Sequence, residues 1–245
     1  MTQEEFLPGG LRLRVRPGVF PLGQDSMLLA DFARVPRRAR VLDLGCGAGT
    51  LALLVLAKDR EAAVTALDSD PAACAQAAEN AAINGLESRM QVLHADARDA
   101  RTVLRAGAFD AVLCNPPYFD PAAGRTHQSL PHARQAQADT LASLCAAAAY
   151  ALRQRGRLAL VYRPERLETL FSALAHAQLA VKRLRFVQQT AAHAPSVVLV
   201  EAMRGGREGV RVLPPLLVRG ADGAYTAEYL HAYGKSPVET GGKEL

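Results

Sequence analysis

Apolar positions recur with two different spacings along the middle of the chain, and the two spacings alternate. Short apolar runs at 40–45, 63–68, 90–94, 109–114, 157–162, 181–188 and 196–203 read as strands. Between them, 49–58, 71–84, 99–106, 135–153 and 164–177 carry the longer spacing of helices. Strand alternating with helix predicts an α/β fold, a doubly wound and mostly parallel sheet covered by helices on both faces. Pro71 and Pro164 stand where a first helical turn tolerates a missing N–H, and Asn84-Gly85 supplies a left-handed stop after the second helix.

Two stretches depart from this rhythm. Leu11, Leu13 and Val15 alternate with Arg12, Arg14 and Arg16, which predicts a strand with one apolar and one basic face. From Phe119 to about Arg134 there is no periodicity, and Pro, Gly, Arg and His recur throughout, so a loop close to the chemistry is expected there. The resulting organisation is an N-terminal extension over 1–35 with a short β segment, packed on a core over 36–245 whose tail begins near 205.

Composition narrows the class. At 245 residues and 49% hydrophobic content the chain has ample material for one large core. No basic start precedes an apolar stretch at the N-terminus, and no apolar run approaches the ~20 residues of a bilayer span, so a soluble, cytoplasmic protein is expected. Cys46, Cys74, Cys114 and Cys145 show no paired spacing, which predicts buried free thiols and neither a metal site nor a disulfide framework. Net charge is +5, unevenly spread. Residues 1–40 hold seven Arg against four acids, 41–152 hold eight bases against twelve acids, and 153–219 hold twelve bases against four acids. An acidic centre between basic flanks suggests a polyanion gripped from the sides while a smaller ligand sits in the middle.

"VLDLGCGAGTL", residues 41–51, reads as a strand, a glycine turn and a helix start. Gly45, Gly47 and Gly49 would let the backbone approach a ligand at the carboxyl end of the first core strand, where open α/β sheets bind ligands. Their spacing is GxGxG, and Asp43 stands two residues before the first glycine, where a carboxylate would repel a pyrophosphate but accept from an ammonium group. That pattern fits S-adenosylmethionine, which has an amine but no phosphate. Asp68 ends the second strand, a position suited to ribose hydroxyls, and Asp96 with Ala97 follows the third, suited to the adenine amino group. With Cys46 in the loop, these are the candidate cofactor residues. Asp68 and Asp96 would serve equally as helix N-caps.

"NPPY", residues 115–118, follows the strand expected at 109–114, which a doubly wound sheet places beside the first. Asn115 offers a side-chain carbonyl, and Pro117 biases Pro116 toward an extended conformation that fixes its carbonyl. Two rigid acceptors suit an NH2 group with two hydrogens, and holding them would orient the nitrogen lone pair for in-line displacement. Tyr118 supplies a face for stacking a planar base. Asn115, Pro116, Pro117 and Tyr118 are therefore the candidate catalytic residues. An adenine and a glutamine amide both present such a nitrogen.

This combination resembles the amino-group methyltransferases of the class I S-adenosylmethionine fold, and more closely the bacterial tRNA adenine-N6 methyltransferases acting on valine tRNA. Segments carrying the likeness include "FPLGQDSMLLADF" (20–32), "ENAAINGL" (79–86), "NPPYF" (115–119), "YRPERL" (162–167) and "DGAYTAEY" (222–229). The resemblance implies a seven-stranded sheet with the last strand antiparallel, and methyl transfer to an adenine N6 in tRNA. It brings in Gln24 and Asp25 as cofactor contacts. For RNA, Arg12, Arg14, Arg16, Arg163, Arg166, Arg183 and Arg185 are phosphate candidates, with Tyr118 and Phe119 at the base. With no Trp and 5% aromatics, one flipped base is a better expectation than a stacked single strand. A protein glutamine N5-methyltransferase and a non-catalytic S-adenosylmethionine-binding subunit are the alternatives.

Overall fold

A computed structural model describes residues 3–16, 23–116 and 131–235. An N-terminal hairpin joins β1 (Gln3–Phe6) to β2 (Arg12–Val15). Then follow α1 (Gln24–Phe32), β3 (Arg40–Leu44), α2 (Thr50–Lys58), β4 (Ala63–Asp68), α3 (Pro71–Ile83), β5 (Met90–His94), α4 (Ala100–Val103) and β6 (Phe109–Cys114). The second half runs α5 (Pro131–Ala151), β7 (Leu152–Tyr162), α6 (Leu167–His176), β8 (Leu179–Gln188), β9 (Pro195–Arg204), β10 (Arg211–Val212), β11 (Leu216–Leu217) and α7 (Ala227–Ala232).

The main sheet has nine strands in the order β10-β8-β9-β7-β6-β3-β4-β5, with β11 also on β8. Seven are the expected long strands, and β9, antiparallel to both β7 and β8, is the last of them. The two additional ones, β10 and β11, are two-residue parallel additions at the β8 edge, too short to leave a period in the sequence.

Strict alternation along the central strands feeds two cores. Val41, Ala111, Leu113, Ala159 and Val161 face α1 and α2, while Leu42, Leu44, Val112, Cys114, Leu158 and Leu160 face α5 and α6. All four cysteines are buried and free. Gly85, with φ +64°, gives α3 its left-handed stop. Several boundaries move. α5 begins at Pro131, four residues before the helix start read from the sequence. β7 begins at Leu152, through a register shift opposite Phe109 to Ala111 that "RQRGR" does not announce.

β2 is held by α3. Asn80 and Asn84, one helical turn apart, accept from Arg14 N and Arg12 N at 2.8 Å, and their Nδ2 atoms donate to Arg14 O at 2.8 Å and Arg12 O at 2.7 Å. Two amide side chains thus stand in for a neighbouring strand.

Candidate active site

β3 has β4 on one side and β6 on the other, all parallel, and the following helices pass to opposite faces. This is the switch point of a doubly wound sheet, where a crevice opens beyond the strand ends. Asp43 pairs in register with Ala66 and Leu113, and Asp68 with His94. The same register carries the chain on to Gly45, Asp68, Asp96 and Asn115 at one edge of the sheet.

The three glycines differ. Gly45 (φ +76°) and Gly47 (φ +54°) would direct a Cβ into open space with nothing within 4 Å. At Gly49 (φ +83°) a Cβ would stand 2.8 Å from Met90 Cε and 3.3 Å from Ala77 Cβ. Gly45 and Gly47 thus leave a cradle for a ligand, whereas Gly49 is glycine because the start of α2 packs closely on α3 and β5. Cys46 is buried within the loop; burial, and after it the charges of Asp43 and Asp68, push its thiol far up, so it fills space as a neutral side chain.

Asp43 is 1% exposed. Its Oδ2 accepts from Ala52 N at 2.9 Å, and its Oδ1 has no partner among the described residues. Burial pushes the carboxyl up to about 7; the Ala52 N–H opposes this and the Asp68 charge adds to it. A buried oxygen without a donor costs about 1–3 kcal/mol, which a cationic donor would relieve. Asp68 accepts from Gly47 N at 2.8 Å and Asp70 N at 2.9 Å, tying the glycine loop to β4. The N-cap of α3 is Asp70, so Asp68 is left with the loop and spare lone pairs. Asp96 caps the short turn opened by Ala97 and is gripped by Arg98 through N (2.8 Å), Nε (2.9 Å) and Nη2 (2.7 Å). Those side-chain bonds, chiefly, hold its carboxyl down to about 2.

At the end of β6, Asn115 is half-buried and Pro116 buried. Asn115 Nδ2 donates to Ser26 Oγ at 3.1 Å; among the described residues nothing donates to Asn115 Oδ1 or to the Pro116 carbonyl. Pro117, Tyr118 and Phe119 lie outside the described residues. The Ser26 contact brings the start of α1 to the crevice. Gln24 Oε1 accepts from Tyr229 of α7 at 3.3 Å. Burial raises the Asp25 carboxyl while the Arg163 charge opposes it. Ser26 and Tyr229 of α7 lie within the segments 20–32 and 222–229 that carry the likeness, yet neither was named as a site residue. The four-residue spacing of Tyr225, Tyr229 and Tyr233 was the available signal: the rings of the first pair stack at 5.0 Å.

The arginines expected at phosphates are largely committed. Arg14 Nε bonds Glu4 at 2.6 Å and Arg16 Nη2 bonds Glu79 at 2.5 Å. Arg12 Nη2 donates to Ile83 O at 3.0 Å. Arg185 holds Glu228 with two bonds of 2.6 and 2.7 Å. Arg163 donates to Ser196 O at 3.2 Å, and Arg166 is half-buried at the head of α6. Arg183 is withdrawn from the phosphate candidates. It is 9% exposed, lies 4.3 Å over the Phe32 ring, and bonds Phe32 O and Glu201, because β8 turns this position toward α1. Among the described residues no group of three His, Cys, Asp or Glu could hold a metal, and no helix is long and apolar enough to cross a membrane.

The family model of the methyltransferase small domain matches residues 10–187. The chain belongs to that family. This methyltransferase is 30% identical over 206 residues to the tRNA1(Val) (adenine(37)-N6)-methyltransferase of Shewanella amazonensis, covering 84% of this chain and 87% of that one. With the enzyme of the same name from Cronobacter sakazakii it shares 33% over 211 residues, covering 85% and 84%. The resemblance read from the sequence is borne out. A crystal structure of a predicted O-methyltransferase from Agrobacterium tumefaciens matches with a TM-score of 0.72 and 21% identity, over 86% of this chain and 95% of that one; it supports the fold alone.

Proposed function

We propose that this methyltransferase transfers the methyl group of S-adenosylmethionine to the exocyclic N6 of an adenine in tRNA. The observation that carries the reading is the pair of acceptors at the end of β6. Asn115 Oδ1 and the Pro116 carbonyl receive no donor from the described residues and stand beside the open glycine loop in the sheet's register. The relatives' names supply the adenine and the tRNA.

The residues fit the cofactor. Asp43 Oδ1 would accept from the ammonium group, Asp68 from the ribose and Asp96 from the adenine amino group. Gly45 and Gly47 leave the space, and Gln24 and Asp25 at the start of α1 lie at the same edge. Bound there, S-adenosylmethionine supplies an electrophilic methyl on its sulfonium.

Asn115 Oδ1 and Pro116 O accept the two hydrogens of the substrate amino group. With both N–H bonds fixed, the lone pair is held perpendicular to the ring plane along one line of approach, so the main contribution is orientation. The methylated nitrogen would be acidic and would pass one proton to solvent, so no strong general base is needed at Asn115. Tyr118 stacks the base. Residues 36–245 form the catalytic unit in this reading, residues 1–35 are an extension packed on it, and the protein is cytoplasmic.

The test is methylation by the purified chain with methyl-labelled cofactor, offered tRNA and, separately, a glutamine-bearing release-factor-like protein. N6-methyladenosine in the nucleoside digest of the tRNA is expected. Label on the protein's glutamine would establish the amide alternative, and label on neither would leave a cofactor-binding subunit.

A further inference from the structure

We infer that Ser26 is a positioning residue for the transfer, holding the Asn115 amide so that its carbonyl oxygen meets the incoming amino group. This rests on the role given to Asn115 above.

Ser26 is the third residue of α1 and is 7% exposed, followed by the buried Met27, Leu28, Leu29 and Ala30. A hydroxyl on that apolar face needs a partner, and among the described residues it has Asn115 Nδ2, 3.1 Å away and 89 positions along the chain. An amide has two unlike ends. With the oxygen inward, it accepts from the substrate amino group; with the nitrogen inward, two donors confront each other and the transfer geometry is lost. In the productive orientation the outward Nδ2 has Ser26 Oγ as acceptor, so both ends of the amide are satisfied when the amino group arrives. Without the hydroxyl, the outward end of the amide loses this partner, and the side chain is no longer tethered where its oxygen meets the amino group.

The platform under Ser26 is rigid. Tyr229 holds Gln24 at the head of α1, while Lys58 Nζ donates to Ala30 O at 2.8 Å and Arg183 Nη2 to Phe32 O at 2.7 Å near its end. Ser26 therefore stays at a set height above β6, and the side-chain amide must adjust to it.

The experiment measures single-turnover methylation of tRNA, S-adenosylmethionine affinity by calorimetry and the melting temperature for S26A, N115A and the double variant. Alanine is the better helix former, so S26A should fold. The expected result is a five- to tenfold slower transfer in S26A, with cofactor affinity and melting unchanged. In the N115A background, S26A should slow the reaction no further, because a residue acting only through Asn115 has nothing left to act on. A wild-type rate in S26A, an equal slowing in both backgrounds, or a loss of cofactor affinity in place of rate would overturn the inference. A wild-type rate in N115A would instead defeat the reading of Asn115 itself.

Discussion

The carboxyl edge of β3 to β6 and the arginines of β2 and β8 both looked functional for their chemistry, yet the structure treats them differently. At the strand ends, Asp43 and Asn115 each keep an oxygen that no described donor occupies. On or directly after β2 and on β8, Arg14, Arg16, Arg183 and Arg185 each find a carboxylate from elsewhere in the chain. Position at a strand end follows from local periodicity and the topology of a doubly wound sheet. Whether a charge is available depends on partners 10 to 63 positions away, as for Arg14 with Glu4 and Arg16 with Glu79. Net charge along a sequence therefore overstates what a polyanion would meet.

The sharpest way to break the contrast is at the buried pair. Glu201 is fully buried between Arg157 and Arg183. Glu201→Ala strands two guanidinium groups and should lower unfolding free energy by about 3–5 kcal/mol in denaturant titration. A change below about 1 kcal/mol would mean that these arginines are not committed to structure.

Next is Asn115→Ala, which should cut turnover by about 10²- to 10³-fold while S-adenosylmethionine affinity holds within about twofold by calorimetry. Lost affinity with preserved turnover would move Asn115 from the transfer to cofactor binding.

Asp43→Asn probes the cradle. Its carboxyl is raised by burial to about 7, so from about pH 4 to 7 the folded protein keeps a proton that the unfolded chain has released. The free protein loses stability from this group as pH rises through that window, and the variant should melt closer to wild type at pH 5 and above it at pH 8. Binding reverses the preference. S-adenosylmethionine affinity should fall about 10- to 30-fold in the variant. Wild-type binding near pH 6.5 should release up to one proton, seen as a buffer-dependent binding heat; a heat independent of buffer would detach Asp43 from the ammonium.

The smallest effects belong to β2. Arg14→Ala and Arg16→Ala should each change tRNA affinity by less than about twofold at low salt, since Glu4 and Glu79 already offset these charges. Glu79→Gln should tighten binding slightly by releasing Arg16. A loss above tenfold in either arginine variant would return this strand to the RNA footprint.

The core strands were legible because Val41 to Leu44 and Ala111 to Cys114 combine apolar runs with turn residues directly after them. β10 and β11 were not, since two residues carry no period. Of the candidate site, the positions of Asp43, Asp68, Asp96 and Asn115 at or just beyond strand ends could be read from motif spacing alone. Ser26 could not: a serine inside an apolar helical stretch reads as a minor irregularity until folding sets it against a residue of β6. Arg183 misled for the converse reason, as "KRLR" looks like a basic surface while its strand turns one of those cations into the core.

The most direct test of the central claim is a crystal structure with S-adenosylhomocysteine and adenosine bound. It should place the adenosine N6 within about 3 Å of both Asn115 Oδ1 and the Pro116 carbonyl oxygen, with the sulfur of the product cofactor on the far side of the nitrogen's lone pair. An N6 held by other groups, or either oxygen engaged by the protein's own donors in that complex, would contradict it.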